Sequence, residues 1–386
     1  MVSVSDAKLL KLFNDQRHHQ FVRAANRIAP LLAKNAHKHD EEGSFPFDDY
    51  AALRAARLLG LTIPKHYGGA LVSPLIRAAI LARLAEASGP TTLTLVMLLT
   101  CAGFVTAIGS DKVKDILLPA VAKNGVLLAS CTSEPQKTFR GPYKLDTEFI
   151  PEQNGFRVVG NKNFNSLAGA AGYYLVNGKL RDALSTKAGF MLAAIPCGDI
   201  RITQEWDATG MRATASHAIE FDALVPHSLI IGKPGQLLET DEFSNFMFGY
   251  AAVYLGIAIA ALNYTKEVTF KSRRVMGKRD AQIIQEIEER IGQCKIALTR
   301  AALAKQEGSG EAITLTAIAK YQSTEAAPQI TWRCIQLAGG RGILKGENHP
   351  LERWHRDSLC GALMPSPNIR IEETDYGRLA PLIEWH

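Results

Sequence analysis

Apolar residues recur at helical spacing through the first third of the chain. Leu9, Leu10, Phe13, Phe21, Ala24, Ala25, Ile28, Leu31 and Leu32 form one stripe, with Arg and Lys on the other faces. Asp48 and Asp49 open a second helix through Tyr50, Leu53, Ala56 and Leu59, and Gly60 is expected to end it. After a turn at Pro64–Gly69, helices are expected over Pro74–Ala87 and Thr91–Ile108, with a short one over Lys112–Ala122. From about Val126 the period changes. Phe156/Val158, Tyr173–Val176, Phe190–Ile195, Ile200/Ile202 and His217/Ile219/Phe221 are short runs, several alternating, set apart by Gly, Asn, Asp and Pro. That is the pattern of an antiparallel β domain. Beyond Gly235 the helical period returns over Phe243–Met276, then along a stripe of Ile284, Ile287, Ile291, Cys294 and Leu298, then over Ala312–Leu337. The layout is therefore mainly α with a central antiparallel β domain: helices in 1–125, strands in 126–235 and a helical bundle in 236–386.

Two stretches, Ala87–Ser110 and Phe243–Tyr264, carry no charge and approach the roughly 20 apolar residues of a bilayer helix. The first contains Gly89, Pro90 and five threonines, and the second runs on into Lys266, Glu267 and Lys271. Both are read as helices buried at the centre of a bundle or an oligomer interface rather than as membrane spans.

Across 386 residues, 47% are hydrophobic, 21% charged and 8% aromatic, which excludes a disordered or fibrous chain. The net charge of +6 is scattered among acids, so no nucleic-acid or lipid footprint emerges, and mild basicity suits an anionic small ligand. Six cysteines (Cys101, Cys131, Cys197, Cys294, Cys334 and Cys360) show no CxxC pairing and read as reduced thiols of a cytoplasmic protein. The early charges Asp6, Lys8, Lys11, Asp15 and Arg17 leave no apolar signal region. His37, His39, Asp40 and Glu41 cluster, but within a charged run before a Gly-Ser turn, so they are read as a solvated surface and no metal is assigned. Phosphate-loop, HExxH and GxSxG signatures are missing, and Gly339-Gly-Arg-Gly342 follows a helix rather than a strand.

Six landmarks fall in one order along the chain: Leu61-Thr-Ile-Pro-Lys-His-Tyr-Gly-Gly69, Thr132-Ser-Glu-Pro135, Gly160-Asn-Lys-Asn-Phe-Asn-Ser166, Gly210-Met-Arg-Ala-Thr214 closing at Phe221 and Val225-Pro226, Arg273-Arg-Val-Met-Gly277, and Gln336-Leu-Ala-Gly-Gly340 with Arg356-Asp357. Together they resemble the acyl-CoA dehydrogenase superfamily. The resemblance implies an N-terminal helical domain, a β-barrel-like middle domain and a C-terminal four-helix bundle, in a homotetramer that holds FAD, or FMN, between the last two. It implies that Thr132, Ser133 and Ser166 lie at the isoalloxazine edge and that Phe164 stands where the family usually has Trp. It places Arg273 on the pyrophosphate, and Gln336, Gly339 and Gly340 on the adenosine half across a subunit boundary. Read alone, Phe164 is equally a core residue, and Arg273 equally the partner of a nearby acid.

One departure bears on the chemistry. Family dehydrogenases abstract an α-proton with a Glu, and that base must sit within reach of the proton. By alignment its position is Pro365, in Met364-Pro-Ser-Pro-Asn368, and the alternative position on the long helix falls near Phe246. Asp241, Glu242, Glu372 and Glu373 remain as displaced bases. The Gly-Ala-Gly-Ser-Asp stretch expected after Thr-Glu-Pro is replaced by Gln136-Lys-Thr-Phe-Arg-Gly-Pro142. The chain is similar in these respects to the monooxygenase branch of the superfamily. Its members take reduced flavin from a partner reductase and oxygenate a small organic substrate through a C4a-hydroperoxide. For that chemistry His355, Ser166 and Asn165 are the candidate catalytic groups. An acyl-thioester dehydrogenase with a relocated base is the alternative, and a non-catalytic flavin-bound scaffold a third.

Overall fold

The computed structural model describes residues 5–135, 145–269, 277–364, 368 and 371. Its first part is helical: α1 (Asp6–Asp15), α2 (Gln20–Glu42), α3 (Phe47–Ala55), α4 (Pro74–Ala85), α5 (Gly89–Ile108) and α6 (Asp111–Ala122). Serines start three of these, since the hydroxyls of Ser73, Ser88 and Ser110 accept from backbone N–H groups in the first turns of α4, α5 and α6. The strands are β1 (Leu128–Cys131), β2 (Glu148–Glu152), β3 (Gly155–Asn165), β4 (Tyr173–Leu180), β5 (Phe190–Pro196), β6 (Ile200–Gln204) and β7 (His217–Pro226). The last part comprises α7 (Ser244–Tyr264), α8 (Lys278–Glu307), α9 (Ala312–Ala338) and the short α10 (Leu351–Leu359).

The two charge-free stretches become α5 and α7, helices long and apolar enough to cross a membrane, with 83% of each apolar window buried inside the protein. They pack on each other, and α7 also packs on α4, α8 and α9, so one core joins the two helical parts. Aromatic rings cluster where α5 meets the start of α7, with Phe104 5.2 Å from Phe243 and 5.7 Å from Phe246.

The seven strands form one sheet. β2, β3, β7 and β6 follow one another antiparallel, and β4 pairs antiparallel with β5. The expectation of an antiparallel domain needs one amendment, because β4 runs parallel to β1 and, at its end, to β2. Alternation along a strand reports which faces are buried, not the direction of its neighbours. Two local readings also change. The helix begun at Asp48 ends at Ala55, and Arg57 takes a left-handed backbone (φ 59°). Gly60 instead allows a close approach: a Cβ there would lie 3.1 Å from the Cα of Gly69. The run His37–Glu41 is not wholly a solvated face either, because His39 and Asp40 are buried, with His39 Nδ1 2.8 Å from Ser44 Oγ and Asp40 paired with Arg356.

Candidate functional site

β3 pairs regularly with β7 as far as Lys162, then shifts register before Asn165 meets His217. At this bulge Phe164 adopts a left-handed backbone (φ 57°) and its ring stands 65% exposed. Leu167 just beyond it (φ 71°), and Met211 (φ 52°) and Ala215 (φ 46°) on the facing segment, are left-handed as well. The Leu167 N–H donates to Thr214 O and the Ala168 N–H to Ala215 O, so all four belong to one strained place. A side chain in that conformation costs roughly 1 kcal/mol or more, and such residues gather where a ligand must be met.

Around the bulge the polar groups are held firmly. Asn165 is fully buried, and its Nδ2 donates to Lys162 O and His217 O, each at 2.8 Å; its Oδ1 has no partner among the described residues. Ser166 Oγ lies 2.9 Å from Ser216 Oγ, which lies 2.7 Å from Thr214 Oγ1, and Thr214 donates to Met211 O at 2.9 Å. Trp206 stands edge-on to Phe164 with ring centroids 6.0 Å apart, its Nε1 donating to Met211 O and its N–H to His217 Nδ1. That contact makes Nδ1 the unprotonated nitrogen, in keeping with the lowering of the His217 pKa by burial. Ser133 borders the bulge through its carbonyl, which accepts from the Asn163 N–H at 2.8 Å, and Thr132 Oγ1 lies 3.3 Å from Ser130 Oγ.

Behind this surface is a buried ion pair. Lys162 Nζ donates to Glu134 at 2.9 Å and to Asn177 at 2.8 Å. Burial opposes ionisation of Glu134, yet Lys162 and the N–H groups of Asp146 and Thr147 together hold its pKa below the usual value. This pair is scaffolding that aligns β3 with the segment after β1. On the other side the segment carrying Met211 is clamped to α10. The Met211 N–H donates to Asp357 at 2.6 Å, and Arg356 donates to Thr209 O and pairs with Asp40 of α2 at 2.6 Å. Gly210 is obligatory in this clamp, since a Cβ there would lie 2.1 Å from Arg356 O.

Of the residues expected at the site, the structure brings together Thr132, Ser133, Phe164, Asn165 and Ser166. His355 is placed elsewhere: its Nδ1 is 2.9 Å from Thr331 Oγ1 and its ring lies against Trp332, so it faces α9. Gln336, Gly339 and Gly340 lie exposed at the far end of α9, with Gln336 accepting from Arg333. Phe246 is buried among aromatic rings, and Glu242, a candidate displaced base, accepts from Asn245 at 2.8 Å. Arg273, Pro365, Glu372, Glu373 and the 136–142 stretch lie outside the described residues. Among the described residues no group of three or more His, Cys, Asp or Glu side chains is arranged to hold a metal. Trp206 and Ser216 went unassigned in the sequence, although Trp206 precedes Gly210 by four residues and Ser216 follows the motif ending at Thr214 by two, while Asp357 stood there only as part of the Arg356-Asp357 landmark.

A flat heteroaromatic ring fits this arrangement. Phe164 offers a displayed apolar face, Ser166 a hydroxyl beside it, and the left-handed turns bring backbone to the rim.

Comparison with known proteins gives two family matches: the acyl-CoA dehydrogenase N-terminal domain over residues 15–125 and its C-terminal domain over residues 242–364. A putative acyl-CoA dehydrogenase of Bacillus subtilis is 26% identical, the match covering 91% of this chain and 94% of that protein. A dibenzothiophene monooxygenase of Mycolicibacterium goodii is 25% identical, covering 93% of each. Among solved structures, a complex of TdsC from a Paenibacillus species with FMN and indole superposes with a TM-score of 0.83 at 20% identity, over 94% of this chain and 96% of that one.

Proposed function

The chain belongs to the acyl-CoA dehydrogenase superfamily, and from that premise we propose that it is a flavin-dependent monooxygenase acting on a small organic substrate. The observation that carries this reading is the loss of the base. Neither family position holds a carboxylate: one is Pro365, and the other falls at Phe246, whose ring packs with Phe104, Phe243 and Tyr250. Oxygenation needs no α-proton base. It needs surroundings that keep water away from the cofactor.

Phe164 and Trp206 would hold the flavin ring, Thr132, Ser133 and Ser166 would meet its polar edge, and Asn165 would hold the bulge in shape from behind. Arg273, outside the described residues, would supply the cation for a flavin phosphate. Bound there, reduced flavin supplies the two electrons that activate O2, one oxygen atom going to substrate and the other leaving as water. The bound form is FAD or FMN, and a relative's structure with FMN supports the latter. A separate reductase supplies the reduced flavin. The position of His355 against α9 supports a role at the end of the bundle rather than in proton transfer.

Trp332, Ile343, Leu344, Leu359 and Leu363 are large apolar residues left exposed on α9, α10 and the turns after them, which supports a homotetramer joined through this bundle. Division near residues 125 and 235 is supported by the limits of the two family matches. Free, mostly buried thiols support a cytoplasmic setting.

Stopped-flow absorbance tests the reading. Protein loaded with reduced flavin and mixed with oxygenated buffer is expected to pass through a transient species distinct from reduced and oxidised flavin. Direct reoxidation at the rate of free flavin, together with anaerobic bleaching by an acyl-CoA, overturns it in favour of dehydrogenation. Glu242 is a described candidate for the relocated base of that second reading, its Oε2 accepting from Asn245 Nδ2 at 2.8 Å. Loss of the bleaching in Glu242→Gln would identify it as the base.

A further inference from the structure

Three hydroxyls run in series from the proposed flavin site to a backbone carbonyl: Ser166 to Ser216 at 2.9 Å, Ser216 to Thr214 at 2.7 Å, and Thr214 to Met211 O at 2.9 Å. Each hydroxyl has one hydrogen. A carbonyl oxygen only accepts, so the Thr214 hydrogen is committed to Met211 O. In the next contact Ser216 must therefore be the donor, and in the one after that, Ser166. The opposite order would set two lone pairs face to face at 2.9 Å between Thr214 and Met211. All three residues are buried, so water does not readily supply a substitute partner.

We propose that the Ser216–Thr214–Met211 chain fixes Ser166 as a hydrogen-bond acceptor toward the flavin, so that the site favours the reduced cofactor. Ser216 and Thr214 are thus positioning residues. The inference rests on flavin lying beside Ser166, as proposed above. The chemical reason is the change in the ring itself: the central nitrogen of oxidised flavin is an acceptor, whereas in reduced flavin it carries hydrogen and donates. A serine whose hydrogen is held inward offers only lone pairs to the ring. It matches the protonated nitrogen and leaves the unprotonated one without a donor from this hydroxyl. An enzyme that must capture reduced flavin from a partner and retain it until oxygen arrives gains from this bias.

The test is the midpoint potential of the bound flavin, measured anaerobically by dye equilibration in the flavin-loaded protein. Ser216→Ala removes the acceptor for the Ser166 hydrogen. Thr214→Val lets the Ser216 hydrogen turn toward Ser166 Oγ and displace the Ser166 hydrogen outward. In both variants Ser166 is freed to donate, so the affinity for reduced relative to oxidised flavin is expected to fall about tenfold, about 30 mV more negative for a two-electron couple. Thr214→Ser retains the hydroxyl and is expected to keep the wild-type potential. Ser166→Ala separates the two levels of the argument. If it shifts the potential while Ser216→Ala leaves it unchanged, the flavin is where proposed and the polarity inference is overturned. If Ser166→Ala changes neither the potential nor the flavin affinity, the proposed placement itself fails. Thermal melting without flavin identifies any variant that does not fold; Ser216→Ala, a single hydroxyl removed at the entry to β7, then decides alone.

Discussion

Asp357 is buried on α10, where burial pushes its pKa up to about 7 against the pull of the Met211 N–H. A carboxyl whose pKa is higher folded than unfolded contributes stability that is complete below about pH 4 and lost as the pH rises to about 7. Asp357→Asn keeps an oxygen for the Met211 N–H and removes the titration. We therefore expect wild type to gain stability relative to Asp357→Asn on acidification from pH 7 to pH 4; melting curves that stay parallel over that range would sink the assignment. Phe164 carries the opposite kind of tension, between fold and ligand. Its left-handed backbone suits glycine, and its ring is mostly exposed. Phe164→Gly is expected to leave the flavin-free protein as stable or up to about 1 kcal/mol more stable, while flavin binding weakens tenfold or more by fluorescence titration. A variant that melts earlier but binds flavin normally would show that the ring serves packing instead.

Between elements, the important joint is the one between α2, α10 and the segment before β7. Arg356 reaches Asp40 on α2, Glu352 on its own helix and Thr209 O, while Arg212 donates to Asp40 O. Removing one partner from a largely buried charge leaves the other exposed to the full desolvation penalty. Asp40→Ala is expected to cost about 3 kcal/mol, because Arg356 retains only part of its pairing, and to loosen flavin binding by releasing the Met211 segment. Chemical denaturation and flavin titration of the one variant check both effects, and a loss confined to stability would show that the clamp does not reach the site. Some of this joint was legible beforehand. Gly210, Arg356 and Asp357 all stood in motifs read from the chain, and the Phe156/Val158 run falls at the start of β3. That the two motifs touch was not legible, since 146 residues separate Met211 from Asp357 and no periodicity spans such a distance.

For the whole molecule, the exposed apolar residues along α9 and α10 predict assembly. Leu344→Glu combined with Leu363→Glu is expected to shift the proposed assembly toward smaller species in sedimentation; an unchanged sedimentation coefficient would place the interface elsewhere. Gln336, Gly339 and Gly340 precede Leu344 at the C-terminal end of α9, so Leu344→Glu by itself is expected to lower the affinity for FAD more than for FMN if a neighbouring copy completes the adenosine site. The sequence by itself determined the order of helices, strands and helices, the burial of the two charge-free helices and the absence of a carboxylate at both family base positions. Each is a matter of residue type or of spacing within one segment, which local periodicity and identity record. Tertiary structure alone decided that β4 runs parallel to two neighbours, that His355 faces α9 rather than the bulge, and that Ser166, Ser216 and Thr214 line up. Those outcomes depend on which distant segments are brought within 3 Å of one another, and that follows from packing of the whole chain rather than from any stretch of it.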